Sequence, residues 1–173
     1  LWLYTCIVPA HFHMNRLIGM PLAKTRLLPW LVWKVGGTGY LHWAWNYWHR
    51  WTNQFDNPNY NTFDDPHTGD TFIVRPNRAA LDVYDSVRSE TQLDGQEDFE
   101  LITMLARTKP NTARAIVESL ITDFTGYTRA GGAVEDRHRQ LLVALTSSAP
   151  DIGTDGSFSD DFSTGMDNLR LRL

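Results

Sequence analysis

Cysteine is all but absent from this chain. Cys6 is the only one among 173 residues, which excludes an internal disulfide and any zinc site built on several thiolates. Lysine is nearly as scarce, with Lys24, Lys34 and Lys109 the only three among 16 basic residues. That scarcity reads as compositional bias and not as function. With a net charge of -4 and no basic stripe, the chain lacks the electrostatic footprint of a nucleic-acid binder. No apolar run reaches the roughly 18 residues that a membrane span requires. The apolar opening Leu1 to Val8 has no basic flank, which makes it a poor signal peptide. There is no initiator methionine, so the chain reads as starting inside a larger protein. Gly-rich phosphate loops and nucleophile elbows are missing as well, and Cys6 has no evident base partner.

Tryptophan is present, and it is concentrated. All seven lie within the first 51 residues, four of them in Trp43-Ala-Trp-Asn-Tyr-Trp-His-Arg-Trp51, and residues 52–173 contain none. Tryptophan is a large rigid ring with a single N–H donor. Beside Asn46, Tyr47 and His49, several such rings could form a wall for the apolar face of a sugar. The rings cover axial C–H groups, and their negative faces favour an oxocarbenium-like transition state. The competing reading is that they only fill space between strands and helices. Alternation along a strand puts Trp43 and Trp45 on one face and His42, Asn46 and Trp48 on the other, so some of them are expected in the core.

The hydrophobic fraction of 42% and the charged fraction of 21% suit one globular domain with a real core. Leu1 to Cys6 is short, apolar and aromatic and predicts a buried strand. Ile7 to Met20 predicts a loop. From Pro21 onward, apolar residues at helical spacing predict a helix, kinked at Pro29 and stopped at Gly36-Gly37. Gly39 to Trp45 predicts a second strand. Asn46 to Gly69 predicts a long loop, and Asp70 to Arg75 a third strand closed by Pro76. Three apolar stripes then predict helices: Phe99, Ile102 and Leu105; Ala113, Ile116, Val117, Leu120, Ile121 and Phe124; Val134, Leu141, Leu142 and Leu145. This order matches an α/β architecture, the C-terminal portion of a (β/α)₈ TIM-like barrel followed by closing helices. A domain over 1–147 and a linker over 148–173 are expected, and the remaining strands would precede Leu1.

Other chemistry is less well supported. His11, His13, His42 and His49 suggest a metal cluster only weakly, because no carboxylate or cysteine joins them at a telling spacing. No metal and no cofactor is expected. Asp64-Asp65, beside His67, lie in the long loop, where acids are more often solvated or calcium-binding. Glu97, Asp98 and Glu100 read as first-turn helix acids. Neither group makes a convincing catalytic acid and base.

Three blocks together are more specific. They are Leu3-Tyr-Thr-Cys6; Arg26-Leu-Leu-Pro-Trp-Leu-Val-Trp-Lys34 running into Gly39-Tyr-Leu-His-Trp-Ala-Trp-Asn-Tyr-Trp48; and Ser86-Val-Arg-Ser-Glu90 with Asp94-Gly-Gln-Glu-Asp-Phe-Glu100. They resemble the C-terminal part of the catalytic domain of glycoside hydrolase family 123, a group that takes in relatives of unassigned function. The resemblance covers roughly Leu1 to Leu145. It implies a barrel glycosidase, exported from the cytoplasm, acting on β-linked N-acetylgalactosamine or a related amino sugar. In the mechanism it implies, the substrate's own acetamide attacks the anomeric carbon, an Asp orients it, and the neighbouring Glu is acid and then base.

The family's Asp-Glu pair has no counterpart in this chain, so the resemblance puts it upstream and gives no catalytic residue here. Tyr4, Trp43, Asn46 and Trp48 match motif positions and are candidate sugar contacts; Trp45 joins them on the residue reading alone. The implied partners are a glycan and the rest of the chain's own barrel. Pro29, Thr71 and Leu93 depart from the family pattern. Arg88 is expected to pair with an acid and lock the closing helix onto the barrel. The tail Phe158 to Asn168 resembles the opening of a lectin-like β-sandwich. A non-catalytic carbohydrate-binding or cell-surface module is the second reading, and a helical interaction domain the third.

Overall fold

A computed structural model describes residues 1–47, 69–77 and 79–153. The first unit is strand β1 (Trp2–Thr5), helix α1 (Leu22–Lys34) and strand β2 (Gly39–His42). β1 and β2 pair in parallel, from Trp2 opposite Gly39 to Thr5 opposite His42. A parallel pair needs a crossover, and α1 supplies it. α1 runs unbroken through Pro29, which is buried. It ends in a Schellman motif: Gly37 N–H donates to Val32 O at 2.8 Å, and Gly36 N–H to Trp33 O at 3.0 Å. Gly36 takes φ +70°, the left-handed conformation that this cap requires.

Three further helices follow, α2 (Val87–Ala106), α3 (Pro110–Leu120) and α4 (Gly131–Thr146). α1 packs most extensively on α2. The core lies among the four helices and includes Leu27, Trp30, Ile102, Leu105, Ile116, Ile121 and Leu141, all fully enclosed. Leu3 and Tyr40 bring the sheet onto one side of it.

Polar groups lock the helices together. Asp98, 0% exposed, accepts from Arg26 Nε (2.8 Å), Trp30 Nε1 (2.9 Å) and His138 Nδ1 (2.6 Å), joining α1, α2 and α4. Three residues before it, Gly95 lets the helices approach: a Cβ there would come within 2.5 Å of Arg26 O. α3 begins without a cap from its own N-cap residue, Lys109. Asp151 caps it from a distance, accepting from Asn111 N (3.0 Å), Thr112 N (2.8 Å) and Thr112 Oγ1 (2.8 Å). Burial alone would raise the Asp151 pKa, but these donors outweigh it and lower it. Lys109 in turn donates to Ala144 O and Ser147 O at the end of α4. The chain just beyond Ser147 therefore stays tied to the helical body; residues 154–173 lie outside the described residues.

Several expectations change. β1 is not buried: Trp2 is 63% and Tyr4 52% exposed, because among the described residues helices cover only one side of this sheet. β2 ends at His42, not Trp45. Asp70 to Val74 forms no regular strand; it makes a single bridge, Phe72 to Asn46. The strand lies later, as β3 (Arg75–Asn77) paired antiparallel with β4 (Asp82–Tyr84). Pro76 sits inside β3, which a two-stranded ribbon tolerates because each strand has a free side.

α2 starts at Val87, about ten residues before its apolar stripe. Ser86 and Ser89 form a capping box, and the buried face of the first turns is Arg88, Ser89, Gln92 and Gly95. Glu97, Asp98 and Glu100 therefore fall mid-helix. Phe124 and Leu142, assigned to apolar stripes, are exposed. Among the described residues no helix is long and apolar enough to cross a membrane.

Candidate functional site

The strands stop where the unusual side chains begin. Thr5 and His42, the last register pair, are joined at 3.1 Å through Thr5 Oγ1 and His42 Nδ1, and Tyr40 O–H lies 2.6 Å from Thr5 Oγ1. His42 Nε2 lies 2.7 Å from the main-chain oxygen of Asp70, which can only accept. Nε2 therefore carries the proton. Burial first, and then the Arg16 charge, lower the His42 pKa against the opposing pull of Asp70, so the ring is neutral and Nδ1 accepts. Every proton then has one direction: Tyr40 to Thr5, Thr5 to His42, His42 to Asp70. Burial raises the Tyr40 pKa, which keeps its proton in place.

Past His42 the chain leaves the sheet, yet exposed and buried residues still alternate as far as Trp45, and Asn46 is the first to depart from the pattern. Ala44 turns inward at 6% exposure, while Trp43 (46%), Trp45 (48%) and Tyr47 (50%) remain half open and Asn46 is exposed. This segment is held from several sides. Trp43 Nε1 donates to Asp70 Oδ2 at 2.8 Å. Ile73 N donates to Trp45 O at 2.8 Å, and Tyr47 N to Thr71 O at 2.9 Å. Arg16, 1% exposed, donates to Ala44 O and sets its guanidinium 5.8 Å from the Trp45 ring centroid. The Trp43 and Tyr47 rings meet at 5.5 Å, tilted by 52°.

The loop after β1 is also pinned. Asn15 donates to Cys6 O and Pro9 O, and Lys24 donates to His11 O and His13 O. Arg88 was expected to meet an acid. It donates instead to three main-chain oxygens, Arg16 O (2.6 Å), Phe72 O (2.9 Å) and Gly69 O (3.3 Å). Its pKa falls to about 10, through burial and then through Arg16 and Arg75. Its role is still to fasten α2 to the site, with carbonyls in place of a carboxylate.

Of the candidate sugar contacts, Tyr4, Trp43, Trp45 and Asn46 are thus exposed near the C-terminal ends of β1 and β2. Trp48 lies outside the described residues, as do His49, Asp64, Asp65 and His67. Trp30 and Trp33 take the space-filling role, so the tryptophans divide between core and surface. Among the described residues no three His, Cys, Asp or Glu side chains stand close enough to hold a metal ion. A groove of about 460 Å³, lined by Pro29, Val32, Gly39, Tyr40, Gln92 and Phe99, lies at the start of β2, away from this wall. Among the described residues the wall is an open surface.

Sequence reasoning missed Asp70 and Arg16 as site residues. No local sequence pattern marks either one; their contacts to the wall span 27 and 28 residues. Residues 1–105 match the family described as Glycoside hydrolase 123, catalytic domain. No curated protein matches the chain.

Proposed function

This chain belongs to the glycoside hydrolase 123 catalytic-domain family, and we propose that it forms the sugar-holding wall of an enzyme acting on β-linked N-acetylgalactosamine or a related amino sugar. One observation carries the reading: Trp43, Trp45 and Tyr47 stay half exposed on a segment tied down by its neighbours. Large apolar groups that are both fixed and open to solvent mark binding surfaces. Asn46, exposed among them, supplies a donor and an acceptor for a ring hydroxyl or an acetamide. Tyr4 stands at the end of the neighbouring strand, and Trp48 is included on the family motif.

The chemistry in this proposal is substrate-assisted and retaining. The acetamide oxygen attacks the anomeric carbon, an Asp orients the acetamide, and the adjacent Glu protonates the leaving oxygen and then activates water. No Asp-Glu dipeptide occurs in residues 1–173, so we assign that pair to sequence upstream. The parallel β1-α1-β2 unit, with its aromatic residues past the strand ends, supports the C-terminal part of a (β/α)₈ barrel, where ligands bind at that face.

The test is hydrolysis of a chromogenic β-N-acetylgalactosaminide by the protein carrying the upstream pair, with residues 1–173 alone as control. Activity in the first and none in the second supports the reading; activity in residues 1–173 alone overturns the upstream assignment. A second reading, a carbohydrate-binding module without hydrolysis, draws on Asp70. This carboxylate reaches the wall, where its Oδ2 is taken up in holding the Trp43 indole N–H, a binding-surface role that needs no acid-base step. Sugar binding without hydrolysis in either form favours it.

A further inference from the structure

Asp70 touches the aromatic wall from beneath, at two points. Its Oδ2 holds the Trp43 indole N–H at 2.8 Å, and its main-chain oxygen holds His42 Nε2 at 2.7 Å. Oδ1 lies 3.2 Å from the same His42 nitrogen. The residue is 9% exposed, so its carboxylate cannot swing freely into solvent. The corner that carries it is fixed as well. Gly69 has φ +88°, and a Cβ there would come within 2.7 Å of both Arg88 Nη1 and Ile18 Cγ1. Arg88 also donates to Gly69 O.

An indole has one N–H, so a single strong acceptor fixes the rotation of the ring about its own bond. A carboxylate is the stronger kind of acceptor. Trp43 has its Tyr47 contact on the ring as a further restraint, but that contact involves a tilted, exposed partner.

Resting on the carbohydrate reading above, the geometry points to Asp70 as the positioning residue of the wall. It sets the plane of the Trp43 ring through the indole N–H and so prepares the face on which the sugar stacks, without itself touching the sugar. His42, held by the main-chain oxygen of the same residue, keeps the end of β2 in register with it.

The test uses residues 1–173 and the variants Asp70→Ala, Asp70→Asn, Trp43→Phe and Asp70→Ala/Trp43→Phe. Indole ¹H–¹⁵N spectra identify the Trp43 resonance by its loss in Trp43→Phe. Titration with N-acetylgalactosamine gives affinities. We expect the Trp43 indole resonance to move in Asp70→Ala and to move less in Asp70→Asn, which keeps an acceptor oxygen. Affinity should fall about tenfold in Asp70→Ala, the scale of one hydrogen bond to a charged group, and should recover in part in Asp70→Asn. In the Trp43→Phe background, Asp70→Ala should cost nothing further. An unmoved Trp43 resonance, or an equal loss of affinity in both backgrounds, overturns the proposal. If the unmodified chain does not bind the sugar, the titration is repeated on the protein carrying the upstream pair; absence of binding there too overturns the carbohydrate reading, and the indole shift alone then decides the role of Asp70. Should Asp70→Ala fail to fold, the near-isosteric Asp70→Asn carries both comparisons.

Discussion

Trp30 and Asp98 meet at 2.9 Å in the middle of the helical core, both 0% exposed, the indole N–H donating to the carboxylate. Arg26 and His138 complete the set of donors. Removing a carboxylate from such a network strands the partners that faced it. Asp98→Ala should therefore destabilise the fold by about 3–5 kcal/mol, the usual cost of breaking a buried ionic network. Trp30→Phe, which removes only one neutral donor and some ring area, should cost less. Urea unfolding of the two variants ranks them, and an Asp98→Ala chain as stable as the unmodified one would contradict the network's role.

The same network explains which parts of the fold were legible in the sequence. Helices α3 and α4 and the body of α1 appear as apolar stripes because their buried faces are mostly apolar. The first half of α2 does not, because it is buried through Arg88, Ser89, Gln92 and Gly95. Polar burial leaves no hydrophobic period to read. The block Asp94-Gly-Gln-Glu-Asp-Phe-Glu100 signalled the family, yet its physical content, a close helix crossing at Gly95 and a buried anion at Asp98, required the fold. The aromatic wall was legible as composition. Its geometry was legible only in part: alternation puts Trp43 and Trp45 together on the open side, but it does not foresee Asn46 exposed beside them. Asp70 and Arg16 hold the wall across long sequence separations, which no local pattern records.

Acid should weaken the fold through His42. Its pKa is lowered in the folded protein, by burial first and then by Arg16, while the unfolded value is about 6.5. Between the lowered folded value and about 6.5 the unfolded chain binds more protons than the folded one, so stability falls as pH drops through that window and is fully present above it. Asp123 and Asp151, whose pKa values are also lowered, act further down, below about 4. Stability measured from pH 7.5 to 5 should slope downward toward acid, and His42→Asn should flatten the slope. A slope unchanged by that substitution would remove His42 as its source.

Asp151 lies past α4, yet it caps the first turn of α3. Asp151→Ala should cost about 1 kcal/mol, as the loss of an N-cap does. The same geometry makes a statement about where the folded unit stops. A chain ending at Ser147 lacks this cap, whereas one ending at Gly153 keeps it. Thermal unfolding should find the longer chain more stable, by at least the amount that Asp151→Ala takes away from it, because the shorter chain also loses the Ile152 oxygen that accepts from Asn111 Nδ2. Equal melting temperatures for the two lengths would mean that the cap contributes nothing.

Trp43 and Trp45 are about equally exposed, but what lies against them differs. The Arg16 guanidinium lies 5.8 Å from the Trp45 ring centroid, buried and tied to Ala44 O. A cation beside an aromatic face engages its negative quadrupole, which is then less available to a second electropositive group. Among the described residues no cation lies over the Trp43 ring; its indole N–H is held by Asp70 and its ring meets Tyr47 at a tilt. Trp43 is therefore the better platform for the electropositive C–H face of a sugar, and Trp45 the better cover for Arg16. Trp43→Ala should weaken binding of N-acetylgalactosamine about tenfold, near the upper end of what an aromatic contact contributes. Trp45→Ala should change affinity less and stability more, because it opens Arg16 to water. Affinity by calorimetric titration and stability by urea unfolding, measured on both variants, separate the two roles; the reverse ranking would make Trp45 the platform.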